Sequence, residues 1–560
     1  MAIKPPLSDL PIKTADSGFY SGFSVNVAVI SKIIISVLAV WCIIWPIKAG
    51  AVLGDWNAVI LDVFASWYIW VVAAFVITCL ILALWPAAGR MKLGADHEVP
   101  EFTNFSWFSM MFGAGIGVGM LTWAVAEPVA HFQNNPQVIQ GAATGGAEDN
   151  ILNAYQWSYL HWGFSAWSTY AIAGLALAFF SYRRGLPLTI RSSLTPLFGK
   201  ALSGPLGNLI DIVAVVATIL GVAQTLGFGV EQFVAGLNRI GISGLVMEDG
   251  SATTVGIVVA LLFIMGASTL SALSGVGKGI KWLSNINMVL SIVLLSFFII
   301  FGATWFGVNA FFVGIWEYLK ALPWMSFNVF VSDGTEGSES FLLAQWQGWW
   351  PVFYWAWWIA FAPFVGLFLA RISRGRTIRE FVLGAMIVPA LMCFVWFAWA
   401  GGTAIDLELN GGADGVIFGA ANGDKIFAMT EFMLSPIAEA LAWGMAVLIV
   451  VLLMTFLVTS ADSAVLIVNT INAAGDEGPK ARPHILFWGA ALALVVGGLL
   501  ISGGTGAIQT AMVIGALPFS IVMALMCISL LKAVFNDTRR DAAGVTAVTV
   551  DTPIGTAPAE

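Results

Sequence analysis

Charge is what this chain has least of: 10% of its 560 residues are Asp, Glu, Lys or Arg, against 59% hydrophobic, with a mean hydropathy of +0.89. So little charge cannot cover a water-soluble surface of this size, which excludes a soluble protein and makes lipid the solvent. Cysteine is equally scarce, and Cys42, Cys79, Cys393 and Cys527 all fall in apolar stretches. They read as reduced packing residues, not a disulfide framework. The four histidines (His97, His131, His161, His484) are scattered with no paired ligand spacing, and no nucleophile constellation accompanies them, which argues against a membrane-embedded enzyme. No loop is long enough for a receptor's ligand domain. The net charge of −8 gathers in loops and tail and gives no footing for a nucleic-acid partner. Residues 1–26 are polar and lack the apolar core of a cleavable signal, so the first helix is expected to direct insertion.

Long apolar runs are abundant. Crossing about 30 Å of hydrocarbon takes roughly 20 residues. Twelve stretches qualify: 27–47, 63–86, 105–126, 151–180, 207–238, 254–272, 281–304, 345–370, 379–403, 434–471, 484–503 and 509–531. With the N-terminus in the cytoplasm, only Lys48, Arg239, Lys320 and Lys425 of the 24 basic residues fall outside. That asymmetry is the positive-inside pattern. The expectation is an all-α polytopic membrane protein with twelve transmembrane helices and both termini inside. The Thr/Ala/Pro-rich end of the chain predicts a short disordered tail.

Two spans are expected to be interrupted. MFGAGIGVGM (111–120) places Gly113, Gly115, Gly117 and Gly119 at alternate positions, and each mid-helix glycine costs about 1 kcal/mol against alanine. Unwound backbone at membrane depth is tolerated where it lines a cavity and is the usual pointer to a transporter's site. Close helix packing through the Gly115/Gly119 GxxxG pair is the alternative. The eighth span carries Pro363 with Gly366 beyond it. Helices 3 and 8 then head two five-helix halves, the positional signature of inverted repeats. The boundaries read 1–26 cytoplasmic segment, 27–104 two extra helices, 105–304 first repeat (helices 3–7), 305–344 external interfacial helix and loop, 345–531 second repeat (helices 8–12), and 532–560 cytoplasmic tail. The amphipathic run 305–324 supplies the interfacial helix.

The chemistry lies in the aromatics. Tyr354 to Arg379 is a Trp-dense run followed by Arg371, Arg374, Arg376 and Arg379, a π-rich membrane helix ending at a cationic cytoplasmic edge. Trp162, Trp167 and Tyr170 fall inside the fourth span; with Trp358 they offer four walls for a permanently charged onium group, each cation–π contact contributing about 0.5 to 2 kcal/mol once desolvated. Interface anchoring is the alternative for any single Trp, but these lie at mid-span, away from headgroups. With no Lys or Arg at mid-membrane, a substrate carboxylate falls to backbone N–H groups of the glycine stretch, Ala114 and Gly115 among them. Thr459, Ser460, Asp462 and Ser463 put hard oxygen ligands in an apolar tenth span and suit a small cation such as sodium; hydroxyls bonded back to their own helix are the competing account. Thr225 in the fifth span is a candidate second ion ligand, whereas Glu127 and Glu231 have no assigned role.

GAGIGVGM (113–120), WAWW…APFVGLFLARISRGRTIRE (355–380), GGTA (401–404) and VTSADS (458–463) resemble the betaine/carnitine/choline transporter family over about residues 20 to 530. The resemblance implies an amino-acid-transporter-like fold of two inverted five-helix repeats after two extra helices, alternating access, homotrimeric assembly and a bacterial inner-membrane location. It carries the family's aromatic box over to Trp162, Trp167, Tyr170 and Trp358, with Trp357 as a gate. It carries the second sodium site to the Thr459 and Ser460 hydroxyls and the carbonyls of Met111, Ala114 and Phe456. Two positions depart from the pattern: sodium-coupled betaine members carry Met where this chain has Ala114, and many carry Trp at Phe361. The long basic C-terminal helix of osmosensing members is missing. The expected function is uptake of a small methylated onium zwitterion (glycine betaine, choline, carnitine or dimethylsulfoniopropionate) by sodium symport, with no other cofactor. A cation-independent exchanger or a proton symporter is the alternative within the class.

Overall fold

The structure, a computed structural model, describes residues 5–115, 117–274, 279–478 and 480–545, without the side chains of 112–115, 274 and 279–281. Among the described residues every regular element beyond isolated bridges is helical, because in lipid a helix satisfies its own backbone polar groups. In order these are α1 (Val25–Ile44), α2 (Pro46–Leu84), α3 (Asn104–Gly115), α4 (Val118–Gln133), α5 (Pro136–Ile139), α6 (Ile151–Trp162), α7 (Phe164–Ala178), α8 (Thr195–Phe198), α9 (Pro205–Arg239) and α10 (Thr254–Ser274). There follow α11 (Gly279–Phe301), α12 (Thr304–Met325), α13 (Glu339–Gln347), α14 (Phe353–Arg371), α15 (Ile378–Trp396), α16 (Gly402–Leu409), α17 (Lys425–Leu434), α18 (Glu439–Asn472) and α19 (Arg482–Ala542).

Ten segments of the described residues are long and apolar enough to cross a membrane, so the protein is a multi-pass membrane protein. The expected third span appears as α3 and α4, parted at Gly117, whose φ of −155° and ψ of −171° are extended. The expected last two spans run together as α19, bent at Gly503 and Gly504; Gly504, at φ 65° and ψ −156°, holds a conformation only glycine adopts readily. The chain leaves regular structure later than the sequence suggests. Residues 532–542 continue α19, and Asp537 is fully buried there, bonded to Arg184 and, at 2.7 Å, to Arg540.

The break expected at Pro363 is absent. A proline removes one helix hydrogen bond and kinks the helix only as far as its neighbours allow. α14 runs unbroken through Pro363 because α7, α9 and α19 pack around it. The interruption lies earlier, in a widened π turn at Gly348–Val352 that contains Pro351. The fourth span, read as one helix, is instead divided at Gly163 (φ −92°, ψ −133°) into α6 and α7.

The four arginines after α14 are not simply a solvated cationic edge. Arg376 is buried, donates to Asn104 Oδ1 and Phe102 O at 2.8 Å each, and lies 3.9 Å over the Trp107 ring. Arg379 donates to Ala83 O at 2.7 Å, Arg374 takes Glu98 in a two-pronged pair at 3.1 Å, and Arg371 pairs with Glu477. They stitch the 91–104 loop, α2 and the 475 turn to the corner between α14 and α15, which a lysine's point charge would do less well. All four cysteines are free and buried.

Helices meet most closely where glycines remove the side chain. A Cβ on Gly366 would lie 2.7 Å from Ala173 Cβ, and one on Gly174 3.1 Å from Gly366 O, so α7 and α14 touch backbone to backbone. At Gly221 in α9 the missing Cβ would meet Ala360 C and Phe361 N at 2.9 Å. Gly221→Ala is therefore expected to lower stability in detergent by about 1–3 kcal/mol, since backbone atoms cannot step aside. Gly54→Ala on the open face of α2, with nothing within 4 Å of the new Cβ, is expected to leave the melting temperature unchanged or raise it. Thermal unfolding of the two purified variants checks the opposite signs.

Candidate functional site

The break at Gly163 and the continuous α14 together set the aromatic side chains. Trp162 ends α6, Trp167 and Tyr170 lie on α7, and Trp357 and Trp358 on α14. Trp162 meets Trp358 edge to face at 5.0 Å between ring centroids and 72°; Tyr170 meets Trp358 at 6.0 Å and 72°; Trp167 meets Tyr170 at 5.3 Å and 72°. Trp357 stacks on Trp358 at 4.7 Å and 16° and touches Trp162 at 6.1 Å. The structure thus brings all five predicted rings into one connected cluster, and none is more than 6% exposed. Phe361, one turn beyond Trp357, lies 6.5 Å from Tyr170 at the edge of the same group. Ala114 and Gly115, the predicted carboxylate-binding positions, lie outside the residues whose side-chain placement is described.

Gly119 explains part of the glycine pattern. Its Cβ would lie 2.9 Å from Trp357 Cη2 and 3.3 Å from Trp162 Cη2, so α4 approaches the cluster through a missing methyl. Gly117, by contrast, has nothing within 4 Å and serves the break itself.

Sequence reading missed the polar hub behind the rings. Glu127 is fully buried in α4, and its Oε2 accepts Trp162 Nε1 at 2.6 Å together with the Tyr354 hydroxyl. Its Oε1 faces His161 Nδ1 at 2.6 Å and His131 Nε2 at 3.3 Å. The expectation that the histidines are merely scattered is wrong for these two: α4 and α6 fold them onto one carboxylate, with ligand atoms within 4.8 Å of one another. The signal was the Glu127/His131 spacing of four, which puts both on one helix face. Tyr354, four residues before Trp358, was the other signal. A metal-ligand set is a poor fit, because neighbouring ligands of one zinc-sized ion stand roughly 3.3 Å apart. The 2.6 Å approach is a hydrogen bond. His161 also fixes Trp358, whose Nε1 donates to His161 O at 2.8 Å.

The predicted ion ligands are more dispersed. Thr459 Oγ1 donates to its own helix at Thr455 O (3.0 Å) and Phe456 O (3.1 Å) and accepts Asn287 Nδ2 at 3.3 Å. Ser460 is half-buried beside it. Met111 is buried on α3, which packs on α15, and Ala114, the other predicted ligand on α3, lies among the residues whose side chains are not described. Thr225 stands apart from these on α9, where its hydroxyl accepts Trp357 Nε1 at 3.3 Å, so here it holds a ring. Asp462 faces α10, accepting Ser271 Oγ at 2.6 Å. Glu231 accepts Ala252 N at 3.1 Å and ties down the loop after α9.

A multi-pass helical bundle with broken helices converging on a buried aromatic cluster is a build that suits a membrane transporter. Residues 26–539 match the model of the BCCT, betaine/carnitine/choline family transporter. The chain is 38% identical over 502 residues to the glycine betaine transporter OpuD of Bacillus subtilis (strain 168), covering 89% of this chain and 92% of that protein. It is 36% identical to a glycine betaine transporter of Acinetobacter baylyi (95% of this chain, 76% of that one) and to a glycine betaine/proline/choline transporter of Vibrio parahaemolyticus (83% and 82%). The chain belongs to the betaine/carnitine/choline transporter family.

The two glycines of α3–α4 should separate in transport assays. Gly119→Val pushes a branched side chain into Trp357 and Trp162 and is expected to cut uptake about tenfold or more, an overpacking cost of about 1–3 kcal/mol at the cluster. Gly117→Ala, in extended backbone and open space, is expected to keep most of it.

Proposed function

We propose that this protein takes up a small molecule with a methylated onium head (glycine betaine, choline, carnitine or dimethylsulfoniopropionate) by sodium symport through alternating access. The observation that carries the reading is the edge-to-face arrangement of Trp162, Trp167, Tyr170 and Trp358 in a buried setting. A permanent cation without N–H or S–H donors cannot be held by hydrogen bonds to its head. Faces of electron-rich rings are the chemistry left for it. The names of the relatives, glycine betaine and glycine betaine/proline/choline transporters, support the same substrate class. In this reading twelve crossings form two inverted five-helix repeats after α1 and α2, α3–α4 counts as one broken crossing, and α19 holds two. α12 lies along the outer surface, both termini are in the cytoplasm of a bacterial inner membrane, and the assembly is a homotrimer. Main-chain groups of the glycine stretch, at Ala114 and Gly115, take the substrate carboxylate. Sodium is assigned to Thr459 and Ser460 with carbonyls of Met111, Ala114 and Phe456, and Thr225 is a candidate for a second ion.

Binding and flux in proteoliposomes test the box. Trp358→Ala and Tyr170→Ala are expected to lower betaine affinity at least tenfold, with Phe or Trp replacements recovering part of it. Wild-type affinity in folded alanine variants means that the cage lies elsewhere.

Coupling is tested separately. Thr459→Ala and Ser460→Ala are expected to raise the sodium concentration needed for half-maximal uptake by about five- to fiftyfold, with little change in substrate affinity at saturating sodium. Binding equilibria are reciprocal, so weaker sodium binding also weakens substrate binding when sodium is low. Uptake driven by a proton gradient or by counter-substrate, and indifferent to both substitutions, assigns the protein to the proton-coupled or exchange mode.

A further inference from the structure

Among the described residues, Glu127 is the one carboxylate tied directly to a wall of the box. Its Oε2 accepts the Trp162 indole N–H at 2.6 Å and the Tyr354 hydroxyl, and its Oε1 faces His161 and His131. Tyr354 stacks on Trp358 at 5.4 Å and 29° and stands 5.8 Å from Trp162. His161 holds Trp358 through its carbonyl. One residue therefore reaches two rings directly and a third through His161. The indole N–H is donor only and the Tyr354 hydroxyl donates to the same oxygen, so a proton on this carboxyl has only Oε1 to sit on; in the tautomer where His161 Nδ1 donates to Oε1, Glu127 is a carboxylate. Charge-assisted donation of this kind is about twice as strong as a neutral hydrogen bond, and in a dry site it is screened little. Donating to a carboxylate shifts electron density from the N–H and O–H bonds into the indole and phenol rings, which makes their faces more negative.

We propose that Glu127 is a positioning residue that tunes the box for positive charge: through Trp162 and Tyr354 it makes the rings favour a cationic head over a neutral one of the same shape. The inference rests on the aromatic box being the onium site. A mere spacer at 127 holds the rings in place and affects charged and neutral ligands alike, whereas a polarising carboxylate affects the cation selectively.

The experiment compares glycine betaine with its tert-butyl isostere, 3,3-dimethylbutanoate, which keeps the carboxylate but has a neutral head, by binding to purified full-length protein in saturating sodium. Wild type is expected to prefer betaine. Glu127→Gln, which keeps volume and polar reach but removes the charge, is expected to reduce that preference roughly 2- to 30-fold, the range of one cation–π contact, with isostere affinity little changed. Glu127→Asp, with the charge kept on a shorter arm, is expected to recover part of the preference. Equal loss for both ligands, no change in the ratio, or Asp behaving as Gln each overturns the proposal. Where Glu127→Gln does not fold, Tyr354→Phe removes one donor with the carboxylate intact and is read the same way. Trp358→Ala is the control for the underlying reading: if it leaves betaine binding untouched the box itself is misplaced, and if it abolishes binding while the Glu127 variants keep the wild-type ratio, only the role of Glu127 falls.

Discussion

Everything at the centre of this molecule depends on how closely α7 and α14 approach at Gly174 and Gly366. With no Cβ on either helix at that level, the backbones touch, and a methyl at Gly366 would come within 2.7 Å of Ala173. Tyr170 and Trp358 project from the two helices one and two turns from the seam and meet at 6.0 Å. Gly221 brings α9 against Ala360 from the other side, which places Thr225 one turn on, within reach of Trp357. Small residues let helices pack closely in a bilayer, where lipid tails are as apolar as leucine and hydrophobic burial drives little. Ring geometry is thus set by residues that carry no chemistry.

The second constraint is that polar atoms in lipid need partners inside the protein. Glu127 has a partner on each oxygen, Arg376 is buried against a carbonyl, an amide and a ring, and Arg191 meets Asp211 at 2.6 Å with both side chains buried. Leaving one such group unpaired costs several kcal/mol, which makes these contacts far more restrictive than their net contribution to stability suggests. The same rule fixes where helices break. Gly163 follows Trp162, the π turn at Gly348–Val352 ends two residues before Tyr354, and a second π turn at Phe397–Gly401 starts at a ring lying 5.3 Å from Trp162. Each interruption borders the cluster, where buried side chains and neighbouring backbone take up the freed groups.

Composition and period made the membrane class legible, because a hydropathy signal over twenty residues averages out local detail. The box was legible because Trp and Tyr at mid-span have no interfacial role. Pro363 misled, since proline states what a helix loses locally and not whether three packed neighbours hold it straight. Gly163 went unread because one glycine in an apolar run has no period to disturb. The Glu127 hub left only the His131 spacing and the Tyr354/Trp358 spacing as local traces: His161 lies 34 residues from Glu127 and Tyr354 lies 227, and no local pattern reports a contact that tertiary packing creates. The ion ligands are the intermediate case. Residue type pointed to oxygen chemistry, but hydroxyls on a helix have carbonyls of their own within reach, and Thr459 uses them.

No ring of the cluster is more than 6% exposed, so binding of the proposed substrate among these rings requires some wall to move. The α7–α14 seam is the wrong place for that movement, since backbones in contact through missing Cβ atoms have no slack to slide or tilt. The α3–α4 break and the widened turns at Gly348–Val352 and Phe397–Gly401 already depart from regular helix, and small changes of φ and ψ there swing whole segments. Trp357 links these parts: it stacks on Trp358 in α14, touches Trp162 beside the Gly163 break and fills the space that Gly119 leaves in α4.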